Sequence, residues 1–122
     1  MPNRQYQKGD RFEKKVMNDL RRRRYVCWQT RGSKSAVDVI ALSGSRHTSG
    51  VTLLVQAKGG DENGLDSQKI GHTKWNELLD AAYRVHGAPV IADRDGRKIR
   101  YRLITGYHVF RSRDWPAEDY SP

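Results

Sequence analysis

Apolar positions along the chain recur with two different periods, one typical of helices and one typical of strands. Between residues 6 and 24 they return every three or four positions, and Phe12 and Leu20 fall within about 80° of each other at 100° per residue. Residues 68–86 repeat this pattern and are followed by Gly87, a residue that often ends helices. Both stretches are therefore predicted to be amphipathic helices.

The remaining apolar runs are shorter, contain few breakers and are rich in β-branched and aromatic residues, which is typical of strands. They cover residues 25–30, 37–42, 51–58, 89–93 and 99–104. Asp95 and Gly96 separate the last two runs and favour a hairpin turn. The order α-β-β-β-α-β-β predicts an α/β fold in which helices flank a mixed β-sheet.

Composition and charge indicate the size of the domain and the kind of partner that it binds. The 122 residues are the length of one domain, expected to be residues 1–111, with residues 112–122 as a C-terminal tail. Lys and Arg number 23 and Asp and Glu number 14, so the formal net charge is +9. An excess of this size in a small domain indicates a polyanionic partner, and nucleic acid is the leading candidate.

Several other classes of protein are not favoured. No run approaches the roughly 20 apolar residues of a membrane span, and residues 1–10 lack the apolar core of a secretory signal. Cys27 is the single cysteine and cannot form an internal disulfide, so a cytoplasmic location is expected. The sequence has no phosphate loop of the GxxxxGK[ST] type, so no nucleotide cofactor is expected.

Polar residues interrupt two of the predicted strands. Asp38 lies in one strand, and Gln56 and Lys58 end the next. If these strands pair antiparallel about a turn near His47 and Thr48, partner numbers sum to about 95 and Asp38 lies beside Gln56. Side chains alternate along a strand, so Gln56 and Lys58 share one face, which Asp38 joins if the register allows.

Glu13 is a fourth polar residue, on the apolar side of the first predicted helix. It lies about 100° from Phe12, and its carboxylate points with the core residues. A buried carboxylate must be paired, hydrogen-bonded or metal-bound. Oxygens of Glu13, Asp38 and Gln56, with a backbone carbonyl, would suit Mg²⁺ or Mn²⁺. The alternative is an ion pair of Asp38 with Lys58, with Glu13 as a surface charge.

Such a metal site beside a lysine points to phosphodiester hydrolysis. The metal would polarise the phosphate and lower the pKa of a bound water. Lys58 would orient or help to deprotonate that water and stabilise the charge that grows on the phosphate. The residues thus predict a hydrolase acting on nucleic acid.

These residues resemble the E…D…(E/Q)xK core of the PD-(D/E)XK nuclease superfamily. Within it, the chain is most similar to archaeal-type Holliday junction resolvases, which are also found in phages. GDRFEKKVMNDL resembles their first helix, TRGSKSAVDVIAL their serine-bearing loop and Asp strand, and QKIGHTKWNELLDAAYRVHGAPVIA the helix and strand after the active site. The resemblance covers residues 9–103 and implies a restriction-endonuclease-like fold and a homodimer that cuts four-way junctions with Mg²⁺.

The resemblance also implies roles for particular residues. Its catalytic residues would be Glu13, Asp38, Gln56 and Lys58, the first three of them holding the metal. A loop serine assists in the family, and Ser33 and Ser35 both remain candidates for it. The chain departs from the family pattern at Gln56, where most members carry a glutamate, and this change removes a negative charge from the metal site.

Several cations are predicted to contact the phosphates of DNA. Arg31, Lys34 and Lys69 lie in segments that flank the candidate site, while Arg21 and Arg24 end the first helix, where they would also complement its dipole. The predicted function is a metal-dependent, structure-selective endonuclease that resolves four-way (Holliday) junctions. Alternatives are another PD-(D/E)XK nuclease of the repair or restriction type, and a catalytically silent basic DNA-binding module.

Overall fold

The computed structural model describes residues 4–30, 35–45, 48–58 and 70–122. The helices and strands are α1 (Arg4–Arg22), β1 (Val26–Gln29), β2 (Val39–Ser45), β3 (Thr48–Lys58), α2 (His72–Val85), β4 (Ala88–Asp95), β5 (Lys98–Ile104) and β6 (Ala117–Asp119). The predicted α/β fold, with a mixed sheet flanked by helices, is confirmed. No helix in these described ranges has both the length and the apolar character needed to cross a membrane.

The strands form one sheet in chain order, antiparallel throughout except between β3 and β4, which are parallel. Because β3 and β4 are parallel, both finish at the same end of the sheet. We call this the Lys58 end, which carries Gln29, Asp38, Lys58 and Asp95. Polar residues at four separate places in the sequence are thereby brought to one end of the sheet.

The register of β2 and β3 agrees with the pairing predicted from the sequence. Val39 lies opposite Val55 and Leu42 opposite Thr52, one residue from the predicted alignment. The backbone N–H of Asp38 donates to the Val55 carbonyl at 2.8 Å, which extends the pairing beyond the strand itself. Asp38 is therefore held next to the last residues of β3.

The two helices cover opposite faces of the sheet. Phe12, Val16 and Leu20 of α1 are buried in one core cluster with Val39 and Val55. The other cluster contains Trp75 and Leu78 of α2 together with Leu54 and Ile91. Alternation along β3 explains this division, because Leu54 and Val55 point to opposite faces.

Both helices end in a left-handed residue. At the end of α1, Arg24 has φ 72°, and the N–H of Tyr25 donates to the Leu20 carbonyl at 3.0 Å. This closes α1 two residues before the predicted end. At the end of α2, His86 has φ 54° and precedes the predicted stop at Gly87.

Part of the segment that the sequence marks as a tail pairs with the sheet. β6 lies antiparallel to β5, and the N–H of Tyr120 donates to the Tyr101 carbonyl at 3.0 Å. Ahead of β6, the Trp115 ring meets the buried Trp75 ring edge-on, with centroids 5.1 Å apart. This segment therefore contributes both a strand and a core contact.

Candidate active site

Asp38 is the centre of a polar cluster at the Lys58 end of the sheet. Its Oδ2 atom accepts two hydrogen bonds, from Gln56 Nε2 and from the backbone N–H of Ala57, both at 2.9 Å. The start of β2 and the finish of β3 are tied together by these bonds. Asp38 and Gln56 thus meet as the strand register leads one to expect.

Gln56 is buried, and one of its polar atoms is left without a protein partner. Its side chain is bonded through Nε2 to Asp38, which fixes the orientation of the amide because a carboxylate only accepts. Its Oε1 atom is buried and has no hydrogen-bond partner among the described residues. A buried acceptor left in this state costs about 1–3 kcal/mol. An oxygen of this kind beside a carboxylate fits a divalent cation, whose preferred ligands are carboxylate and amide oxygens.

Glu13 approaches the cluster from α1. Its Oε2 atom accepts a hydrogen bond of 2.5 Å from Nε2 of Gln29, the last residue of β1. This bond directs the carboxylate towards the Lys58 end of the sheet. The negative charge of Glu13 also raises the pKa of Asp38, so the two carboxylates lie within electrostatic range.

Burial sets the protonation of Asp38. Loss of solvent is the largest effect and raises the pKa of Asp38 to about 6, and the charge of Glu13 acts in the same direction. The Ala57 N–H, Lys58 and Lys74 lower the pKa and offset part of the rise. Asp38 therefore becomes a carboxylate above about pH 6.

Two residues that the sequence does not single out belong to this cluster. Gln29 positions Glu13, and Lys74, in the first turn of α2, acts on Asp38 as a second cation beside Lys58. The available signals were a polar residue ending a strand and a lysine opening the helix after the site. Neither signal identifies a site residue by itself, because the packing of the helices and strands decides which of their ends lie close together.

Of the remaining predicted residues, three are exposed and four lie outside the described residues. Ser35 is exposed, and its Oγ accepts a hydrogen bond of 3.1 Å from the N–H of Val37. Arg21 and Arg24 are exposed at the opposite end of the sheet, since Arg21 is about 12 Å along the helix from Glu13. Four predicted residues lie outside the described residues: Arg31, Ser33, Lys34 and Lys69.

Asp93 is a third acid near the cluster, but it is already paired. It lies beside Lys58 in the β3–β4 register and is 1% exposed. Arg100 contacts both of its oxygens, at 2.9 and 2.8 Å, and Arg102 contacts Oδ2 at 2.8 Å. Across the described ranges, no group of three His, Cys, Asp or Glu side chains is arranged to hold a metal ion. A metal at the Lys58 end would therefore rely on Glu13, Asp38 and the Gln56 amide oxygen.

The mixed six-stranded sheet with its two helices is the restriction-endonuclease-like fold that the sequence predicts. Among solved structures, the chain is similar to Hjc, a Holliday junction resolvase from the archaeal hyperthermophile Archaeoglobus fulgidus. The similarity has a TM-score of 0.59, covers 77% of this chain and 70% of that chain, and accompanies 20% sequence identity. No family model and no curated protein matches the chain. The comparison supports the resemblance to archaeal-type resolvases at the level of the fold.

Proposed function

We propose that the protein is a metal-dependent endonuclease that resolves four-way (Holliday) DNA junctions by hydrolysing phosphodiester bonds. The observation that carries this proposal is the pair of half-buried Asp38 and buried Gln56, in which the Gln56 Oε1 atom has no partner among the described residues. The fold shared with an archaeal resolvase supports branched DNA as the substrate. The formal net charge of +9 suits a polyanionic substrate.

Glu13, Asp38 and Gln56 are the residues that would hold Mg²⁺, with Mn²⁺ as a substitute. When bound there, the metal supplies a Lewis acid for the scissile phosphate and lowers the pKa of a water. Asp38 presents a carboxylate above about pH 6, and Gln29 holds the Glu13 carboxylate by a hydrogen bond at the same end of the sheet.

Lys58 and Lys74 are the cations of the proposed site. Lys58 follows Gln56 on the same face of β3, so its ammonium group can position the attacking water and offset the charge that grows on the phosphate. Lys74 approaches Asp38 from α2 and adds a second positive charge. The assisting role of Ser33 or Ser35 remains a prediction from the resemblance.

A catalytically silent DNA-binding module is the second candidate function. Gln56 favours it, because a neutral amide at this position leaves two carboxylates, rather than three, to hold a divalent ion. Carbonyl oxygens nonetheless serve as ligands for Mg²⁺ and Ca²⁺, so the amide weakens the site without removing a ligand.

Cleavage of defined DNA substrates tests the proposal. The protein is incubated with Mg²⁺ and four-way junction, flap or linear duplex, and we expect cleavage of the junction alone. Asp38→Asn keeps an oxygen acceptor for Gln56 and Ala57 and should abolish cleavage while junction binding persists. Glu77→Gln, an exposed acid on α2, is the control and should cut at the normal rate.

Two outcomes contradict parts of the proposal. If linear duplex is cut as readily as the junction, the protein is a nuclease but not a junction resolvase. Tight junction binding without cleavage in any divalent ion would replace the enzyme by the silent binding module.

A further inference from the structure

A cleft between α1 and the β4–β5 hairpin lies apart from the candidate active site. Its volume is about 350 Å³. It is lined by Phe12, Lys15, Arg94, Arg97, Lys98 and Ile99. Cations supply four of these six lining residues, and none of the six is an acid.

The cleft and the candidate active site flank the same turn of α1. Lys15 is two positions after Glu13, which places it about 200° around the helix. Glu13 is held towards β1 by Gln29, whereas Lys15 faces the hairpin side. Phe12 is buried and also lines the cleft. A ligand crossing the Lys58 end of the sheet would therefore meet the site first and the cleft next.

Alternation along β4 explains why the cleft contains no acid. Asp93 points to the α2 face, where Arg100 and Arg102 bind it. Arg94 is the next residue and points to the α1 face, into the cleft. Asp95 has the same parity as Asp93 and its charge acts on Arg100. The acids and their partner arginines are thus separated from the cleft by the sheet.

The cations of the cleft have no acidic partners among the described residues. Lys15, Arg94, Arg97 and Lys98 make no side-chain hydrogen bond or ion pair with any described residue, in contrast to Arg100. Like charges that converge in a cleft repel each other and focus a positive potential there. An anion with several charges removes this repulsion, and a chain of phosphates provides charges at regular intervals.

We infer that this cleft binds the phosphodiester backbone of DNA at a second contact, away from the bond that is cut. The inference rests on the proposed function for the identity of the polyanion. Arg94 follows Asp93, the neighbour of Lys58 across the sheet, but points to the opposite face, so a backbone leaving the active site would pass around the Lys58 end of the sheet to reach the cleft. The cleft would fix the direction in which the DNA leaves the site.

Junction affinity measured as a function of salt tests this inference. Binding of a fluorescently labelled four-way junction is followed by anisotropy in EDTA, so that cleavage plays no part. The variants are Arg97→Gln and Lys15→Gln/Arg97→Gln, both at exposed positions. Arg84→Gln is the matched control, because it removes the same charge from an exposed position in the last turn of α2.

We expect the salt slope to fall by about 0.9 for each phosphate contact removed. At fixed salt, the dissociation constant should rise about threefold or more for Arg97→Gln and further for the double variant. Arg84→Gln should change it less than twofold. Unchanged melting temperatures would show that each variant remains folded.

Three results would overturn the inference. The first is an equal loss of affinity in Arg97→Gln and Arg84→Gln, which would reflect net charge alone. The second is an unchanged salt slope in the double variant. The third is evidence that the cleft binds a small anion instead of DNA. In that case calorimetry would show binding of inorganic pyrophosphate to the unmodified protein, and the double variant would lose this binding while its junction affinity stays normal. Failure of the proposed function can be distinguished from failure of this inference. A protein that cuts no DNA but shows the expected salt slopes of junction affinity would refute the nuclease and keep the cleft contact.

Discussion

At the scale of single residues, partial burial shifts the protonation of Asp38. Its pKa is raised from 3.8 to about 6, so the folded protein holds this proton more tightly than the unfolded chain does. The stabilisation is complete below about pH 4 and is lost as the pH rises through about 6. The difference corresponds to about 2 to 3 kcal/mol of lost stability at neutral pH.

The first prediction is that Asp38→Asn stabilises the protein without metal at pH 8. Asparagine keeps the acceptor for Gln56 and Ala57 but removes the buried charge, so the free energy of unfolding should rise by about 2 kcal/mol. Urea denaturation in EDTA measures this change. The gain should vanish near pH 4, where Asp38 is protonated in the folded state. A less stable variant at pH 8 would contradict the burial of an unfavourable charge.

The second prediction concerns the amide at Gln56. Gln56→Glu places a second carboxylate against Asp38, which should lower the melting temperature in EDTA and strengthen Mg²⁺ binding about tenfold. A thermal melt with increasing Mg²⁺ reports both effects, because a ligand of the folded state stabilises it by RT ln(1 + [L]/Kd). Asn18→Glu adds the same charge at an exposed position of α1 and is the control. Identical Mg²⁺ responses in the two variants would argue against Gln56 as a ligand.

The sequence predicts part of this cluster and misses another part for a physical reason. The meeting of Asp38 with Gln56 follows from strand alternation and register, both of which are properties of one hairpin. Gln29 and Lys74 lie on β1 and α2, and their places depend on how separate elements pack. Periodicity along a chain contains no information on that packing.

At the scale of elements, periodicity predicts both helices and the first five strands but not β6. Ala117–Asp119 has three residues and no alternation of apolar positions. It becomes a strand because β5 offers it a free edge and because Trp115 docks on α2 just before it. The end of α1 is also missed, since the left-handed Arg24 lies within a run of arginines that would extend a helix.

The third prediction tests the docking of this C-terminal segment. Trp115 packs edge-on against Trp75 and stacks on His108, with ring centroids 3.5 Å apart. Trp115→Ala should therefore lower the free energy of unfolding by about 2 kcal/mol and expose the C-terminal residues to protease. Trp28→Ala is the matched control, because Trp28 is 52% exposed, and should cost less than about 1 kcal/mol. Equal losses in the two variants would show that the segment adds no stability of its own.

At the scale of the whole molecule, the proposed substrate predicts a symmetric assembly. A four-way junction presents two equivalent strands, and paired cuts require two active sites related by a twofold axis. The fourth prediction is therefore a homodimer, with a sedimentation mass about twice the 14.0 kDa of the chain and a melting temperature that rises with protein concentration. A mass of one chain at all concentrations, with and without junction DNA, would contradict it.

The parallel pairing of β3 with β4 has a consequence for the order in which the proposed sites form during folding. The β2–β3 and β4–β5 pairs are local hairpins, whereas β3 and β4 can join only after the long connection through α2 has closed. Asp38 and Gln56 share the first hairpin, but Lys15 and Arg97 are brought together only by the late joining of both halves. We expect a folding chain to bring Asp38 and Gln56 together before Lys15 and Arg97, so two of the proposed metal ligands would meet before the proposed second DNA contact forms.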